Sequence, residues 1–196
     1  MKLRSLVVAA AILLVSPLAA SAAHWSIDTS HSNVGFSVRH LVTPVPGRFT
    51  DFTGTIVYNA DDLSKSSVEL TVQATSVDTA NDQRDGHLRS GDFFAVEEHP
   101  TVTFKSTKVS GSGTSLEVTG DFTMRGVTKS ITVPVEVLGV MGKKAGFSTQ
   151  FVIDRKEYGV SWNRLLDQGG AILGDEVKIQ IDIEADLQEE DGAAKG

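Results

Sequence analysis

Apolar and polar residues alternate with a period of two along most of this chain, a pattern that predicts strands rather than helices. Val34, Phe36 and Val38 alternate with Gly35, Ser37 and Arg39, so one strand face is apolar and the other polar, and the same parity puts His40 on the apolar side. Pro44, Pro46 and Gly47 predict a break in regular structure. Residues 49–58 resume as a strand with Gly54, Ile56 and Tyr58 on one face, residues 59–62 read as a turn, and Val68, Leu70, Val72 and Ala74 form the next stripe. Residues 79–94 break the period. They are rich in Asn, Asp, Gln and Arg, and 81–89 predict a short helix capped by Thr79 or Asn81. Leu88, Phe93 and Phe94 in this segment are placed to close one end of an interior.

From Thr101 onward the pattern is a meander. Val102 and Phe104 share a face, and Leu116, Val118, Gly120, Phe122 and Met124 make one stripe. Ile131, Val133, Val135 and Val137 make another, and Phe147, Thr149, Phe151 and Ile153 a third. Gly-rich turns at 110–113, 125–126 and 142–146 separate them. Pro134 lies on the polar parity of its strand, where its missing donor predicts an edge or irregular pairing. After a less regular 155–174, Val177, Ile179, Ile181, Ile183, Ala185 and Leu187 alternate with Glu176, Lys178, Gln180, Asp182 and Glu184.

Strict alternation means one wet and one buried face, as in antiparallel sheets. With one helical segment, helices cannot cover so many apolar faces, so the sheet must cover its own as a barrel or a sandwich. The predicted class is therefore all-β: a closed or nearly closed, lipocalin-like antiparallel barrel of about eight strands, with the sandwich as the alternative. Phe36, Phe104, Phe122, Phe147 and Phe151 fall on apolar parities together with Gly54 and Gly120, a mixture of large and small that suits a tapered or ligand-holding interior. Parity alone leaves open whether that interior is full.

Charge and targeting narrow the setting. Lys2 and Arg4, an apolar run from Leu6 to Val15 and the small residues Ala20-Ser21-Ala22 have the form of a bacterial secretion signal, so residues 1–22 are expected to be cleaved after about Ala22 and the product exported to the periplasm. Residues 23–187 then form one domain, and the acidic, small 188–196 is predicted disordered. The net charge of −7 becomes −9 without Lys2 and Arg4, and so acidic an overall surface argues against nucleic acid and anionic lipid headgroups as partners. There is no cysteine, which excludes thiolate nucleophiles and thiolate metal sites.

The candidate chemistry is thin. His24, His31 and His40 are spaced by seven and nine residues, wider than the H-x3-5-H or H-E-x-x-H spacings of zinc sites, so a turn hydrogen bond for His31 and a strand-end position for His40 are the better reading. No G-x-S-x-G elbow occurs, and Gly111-Ser112-Gly113 lacks the following helix that a phosphate cradle needs. No catalytic residue, metal or cofactor is expected. His40 and Arg155, polar groups at the ends of apolar stripes, remain as candidate contacts for the polar head of a ligand.

Several stretches together resemble one family. W-x-I-D-x-x-H-S-x-V-x-F-x-V-x-H at 25–40, G-R-F-x-x-F-x-G at 47–54, R-D-x-H-L-R-S-x-D-F-F at 84–94, H-P-x-V-T-F at 99–104, R-G-V-T at 125–128 and G-D-E-V-K-I at 174–179 look like the YceI-like polyisoprenoid-binding proteins, in order along the whole mature chain. That resemblance implies an exported lipocalin-like barrel that holds a long isoprenoid lipid of polyprenyl or isoprenoid quinone type, to transport or store it, with transient membrane or lipid-donor contact. Phe36, Val38, Phe104, Phe122, Phe147, Phe151, Ile179 and Ile181 are then the expected lining residues, with His40 and Arg155 as head contacts. An enzyme acting on such a lipid through a pocket histidine, and an interaction protein with a packed barrel, are the alternatives. Oligomeric state is not encoded in these patterns.

Overall fold

The computed structural model describes residues 23–167 and 170–188. The predicted signal segment and the tail from residue 189 onward lie outside the described residues. The strands are β1 (Ala23–Ile27), β2 (Asn33–His40), β3 (Thr43–Phe49), β4 (Phe52–Tyr58), β5 (Ser67–Gln73), β6 (Val77–Asp78), β7 (Thr101–Ser112), β8 (Ser115–Met124), β9 (Val127–Met141), β10 (Lys144–Asp154) and β11 (Leu173–Leu187), with one α-helix among the described residues, α1 (Asp82–Arg89), and short 3-10 turns at Leu63–Lys65, Ala74–Ser76 and Arg155–Tyr158. Neighbouring strands run antiparallel in the order β1-β4-β5-β7-β8-β9-β10-β11, and β11 pairs back onto β1 through Trp25/Leu187 and Ile27/Ala185. The ring is closed: an eight-stranded barrel, not a sandwich. The β2–β3 hairpin and β6 continue the sheet beyond β11, with β2 laddered to β11 from Val38/Val177 to Asn33/Asp182.

The apolar parities face inward and form two contiguous core clusters. Trp25, Ile56, Val118, Val133, Phe147 and Ala185 belong to the lower cluster, near the β9–β10 turn and the chain ends. Phe52, Val72, Phe93, Phe122, Ile153 and Tyr158 belong to the upper one, beneath α1. Asn81 caps α1 by accepting from the Arg84 amide at 2.9 Å, as its side-chain chemistry predicts. Asp85 fixes the helix to its approach by accepting from the Thr79 amide and hydroxyl. Phe93, His87 and Trp162 meet edge-on or tilted with centroids 4.8–5.3 Å apart, so the helical segment and residues 158–162 cover the upper end together.

Four local expectations need correction. Pro44 and Pro46 do not end regular structure; both lie within β3, opposite Arg39 and Ser37. On its other side β3 meets only β6, at Arg48 and Phe49, so the missing proline donors fall on an unpaired edge and cost no ladder bond. The single strand expected at 49–58 is broken after Phe49, because the Thr50 and Asp51 backbone binds the Ser76 carbonyl and hydroxyl instead of a strand neighbour. The Gly-rich stretch 110–113 is mostly ladder, with Ser110, Gly111 and Ser112 paired to β8. Gln188 still holds sheet register, its amide donating to the His24 carbonyl at 2.8 Å.

The turn between β1 and β2 acts as a latch. His31 Nδ1 lies 2.8 Å from Asp28 Oδ2, and Lys144 Nζ reaches Asp28, Glu184 and Asp186 at 2.9–3.0 Å, tying this corner to β10 and β11. Bonds from His31 and then Lys144 hold the Asp28 carboxyl well below its usual range, and Asp28 raises the His31 imidazole. Because the folded state raises His31, its contribution is complete below the unfolded value of about 6.5 and fades as pH climbs through the folded value. Asp28 behaves oppositely: its contribution is present above the unfolded carboxyl value of about 3.9 and is lost as pH falls through the folded one. His31→Asn is therefore expected to lower Tm more at about pH 5.5 than at about pH 9. Equal losses in melts at the two pH values would refute the charged pair.

Candidate functional site

The barrel is not filled by its own side chains. A cavity of about 220 Å³ runs along its interior, from Tyr58, Ser67 and Val68 at the lower end to Leu88, Phe93, Phe94 and Leu173 at the upper end. No polar atom of the wall faces the void, although Thr103, Ser148 and Thr149 contribute to it. A second concavity, on the outer face of β2 and β3, is open and bordered by Arg48, Asp78, Lys178 and Gln180; it is surface relief rather than an enclosure.

Strand parity positions the wall. Phe36, Val38, Phe104, Phe122, Phe147, Phe151, Ile179 and Ile181, the residues expected from alternation, all stand on it. Cross-strand pairs bring them together: Phe36 opposite Ile179, Phe104 opposite Phe122, Phe151 opposite Ile179 and Phe147 opposite Ile183. Small residues make room for the large ones. A Cβ on Gly47 would lie 2.4 Å from the Phe36 ring, and one on Gly120 would lie 2.6 Å from Phe104, so these glycines are seats for aromatic rings. Tyr58 was not singled out from sequence; it closes the lower end with its ring edge-on to Phe147 at 5.8 Å. Its place on the Ile56 parity was the signal that could have found it.

The two expected head contacts sit differently. His40 is exposed at the end of β2, opposite Thr43 and Leu173, and is not among the residues around the cavity. Arg155 does border the cavity and is only 3% exposed, but its polar atoms point into backbone. Nε donates to the Gly174 carbonyl at 2.9 Å, Nη1 to the Val160 and Trp162 carbonyls at 2.7 and 2.8 Å, and Nη2 reaches Asp175 at 3.5 Å. Burial pushes the guanidinium pKa down, and Asp175 and Asp154 push it back up. Arg155 is thus the clasp that holds residues 158–162 against the start of β11. Tyr158 is buried beneath that clasp, edge-on to Phe122 at 5.3 Å, and lies off the wall.

The wall has one seam. β9 and β10 pair only from Met141/Lys144 to Glu136/Ser148, with a shift of register beside Gly146 where Gly139 takes φ +153°. Beyond it, β9 pairs with β8 alone and β10 with β11 alone. Pro134, which has no amide to offer, lies here, and Thr149 Oγ1 donates to its carbonyl at 2.5 Å in place of a ladder bond. The irregular pairing predicted for Pro134 is a property of this seam. Val133, Val135, Phe151 and Ile153 flank it on the cavity side.

Chemically the interior can bind but offers little to catalysis. Among its described lining residues there is no Asp, Glu, His or Lys, and the ionisable groups are Tyr58 and the backbone-bound Arg155. Asp28, His31 and Glu184 bring one donor each to within 4.8 Å of one another at the latch, where Lys144 already supplies the cation.

The comparisons with known proteins agree with this architecture. A UPF0312 protein of Pseudomonas paraeruginosa is 36% identical over 173 residues, covering 84% of this chain and 87% of the relative. The crystal structure of BcnA from Burkholderia cenocepacia superposes with a TM-score of 0.74 at 24% identity, over 81% of this chain and 98% of that one. A polyisoprenoid binding domain from Saccharophagus degradans superposes with a TM-score of 0.68 at 16% identity, over 86% of this chain and all of that domain. The family model described as YceI-like domain matches residues 25–185, nearly all of the barrel, and this chain belongs to the YceI-like family.

Proposed function

We propose that this protein is an exported, periplasmic carrier or store that binds the apolar tail of a long isoprenoid lipid inside its barrel. The observation that carries the reading is the continuous cavity whose wall presents no polar atom to the void. The naming of the Saccharophagus neighbour as polyisoprenoid binding supports the ligand class. At about 220 Å³ the cavity is below the roughly 300–1,000 Å³ of sites for drug-sized ligands, which favours a slender, flexible chain over fused rings. The apolar wall has nothing to pair with a headgroup, so the head stays outside and the tail enters.

Energetics favour exchange rather than capture. Each buried CH2 gains about 0.8 kcal/mol relative to water. A lipid drawn from a membrane has already made that gain, so the transfer is nearly balanced and cavity packing decides it. Balanced transfer is what a carrier needs for release. The acid–base chemistry required of an enzyme has no imidazole or carboxylate among the described lining residues, and an interaction protein with a packed barrel would lack the void.

Native mass spectrometry of protein purified without detergent is expected to show an adduct of isoprenoid-like mass, lost on organic extraction. Protein that is uniformly ligand-free and takes up no prenyl alcohol or isoprenoid quinone would overturn the reading.

A further inference from the structure

We propose that the tip formed by the β2–β3 turn and the adjoining residues 163–166 and 171–173 is a docking surface for an anionic lipid bilayer. It would be the membrane that exchanges lipid with the cavity, so the inference rests on the lipid-binding reading above. Four large apolar side chains are exposed there: Val42 at 91%, Leu165 at 77%, Leu166 and Leu41. They share one small surface, because the Leu41 amide donates to the Ile172 carbonyl at 2.7 Å, the Ile172 amide to the Arg164 carbonyl at 2.9 Å, and Leu165 bridges to Ala171. Apolar side chains scattered singly on a surface need no explanation, but four clustered and exposed around one turn call for a partner.

Charge selects the partner. The hairpin from Asn33 to Phe49 carries no carboxylate in a chain of net charge −7; Arg39 and His40 stand beside its turn, Arg48 at its far end is paired with Asp78, and Arg164 adds a further cation at the tip. Of the acids nearby, Asp175 is bound by Lys156 at 2.8 Å and Arg155 at 3.5 Å, which leaves Asp167 and, beside Asp175 in the β11 bulge opposite Arg39, Glu176. Here an otherwise acidic protein offers apolar anchors beside cations, the combination that seats on anionic headgroups. The opposite end also exposes Leu138, Val140 and Met141, but there Asp28, Glu184 and Asp186 crowd around Lys144 and would repel such a surface. Position agrees with charge. Val38 and Leu173, on the cavity wall, lie immediately below the tip, and residues 155–166 lead from the upper end of the seam to it.

The test is sedimentation with phosphatidylcholine vesicles, alone or with about 30% phosphatidylglycerol. Wild-type protein is expected to co-sediment with the mixed vesicles and far less with phosphatidylcholine alone. Val42→Asp/Leu165→Asp is expected to reduce co-sedimentation at least about tenfold, and Arg164→Glu to reduce it on mixed vesicles. Met141→Asp, at the other end, should bind as wild type. Absence of wild-type co-sedimentation, indifference to vesicle charge, an unaffected double variant, or an equal loss in Met141→Asp would each overturn the inference. Uptake of a prenyl alcohol from detergent micelles, read by mass spectrometry, separates the two readings: the double variant should load from micelles as wild type does. If neither loads from any source the lipid-binding reading falls, while sedimentation still decides the docking surface.

Discussion

Ile181→Trp is expected to abolish lipid uptake while leaving the barrel folded. Ile181 lies on the cavity wall, opposite Thr149 on β10 and Val34 on β2, and it is only partly buried because part of its side chain borders void. An indole at this position extends into space that a lipid tail must cross. Overpacking a full core costs about 1–3 kcal/mol; here the added volume has somewhere to go, so the stability change should fall at the low end of that range. Uptake of a prenyl alcohol, by contrast, should fall by at least about tenfold, because a blocked channel cannot be threaded at any headgroup chemistry. The measurements are adduct occupancy by native mass spectrometry and urea unfolding of the same variant. Normal uptake with an unchanged midpoint would mean that the interior void is not the ligand site.

Arg155→Met is expected to be the most damaging single change for stability. Methionine keeps most of the stem volume but leaves the carbonyls of Gly174, Val160 and Trp162 without their donor in a buried setting. Each orphaned carbonyl costs about 1–3 kcal/mol, and breaking buried charge-assisted networks typically costs about 3–5 kcal/mol in total. Part of that is returned because the isolated cation is no longer buried, so a loss of about 3 kcal/mol in urea unfolding is the expected result. Arg155→Lys should recover little of it, since one ammonium cannot reproduce the fork that spans three carbonyls. A variant as stable as wild type, with altered lipid occupancy instead, would return Arg155 to the role of a head contact.

These two residues also mark where pattern reading succeeds and where it stops. Ile181 was legible because β alternation is a local property: each inward residue reveals its face through its neighbours two positions away. The α1 segment was legible for a similar reason, since Asn81 and the polar run after it carry their own capping chemistry. Arg155 was visible as a polar group at the end of a stripe, but its partners lie five to twenty residues further along the chain and, apart from the Asp175 carboxylate, are backbone carbonyls. No side-chain pattern encodes an acceptor that every residue possesses. His40 kept the apolar parity and still ended in solvent, because it is the last residue of β2, paired with the first residue of β11 at the open edge of the ladder.

By itself, the sequence determined that the chain would be antiparallel β with a single helical interruption, which residues would face inward, and the family to which the barrel belongs. All three are carried by short-range periodicity or by ordered motifs. Tertiary structure alone decided that the sheet closes through β1 and β11, that the inward faces enclose a void, and that β9 and β10 part beside Pro134. Closure depends on accumulated twist and register around all eight strands, and a void is the difference between the volume the ring encloses and the volume its side chains fill. Neither quantity belongs to any one stretch of chain.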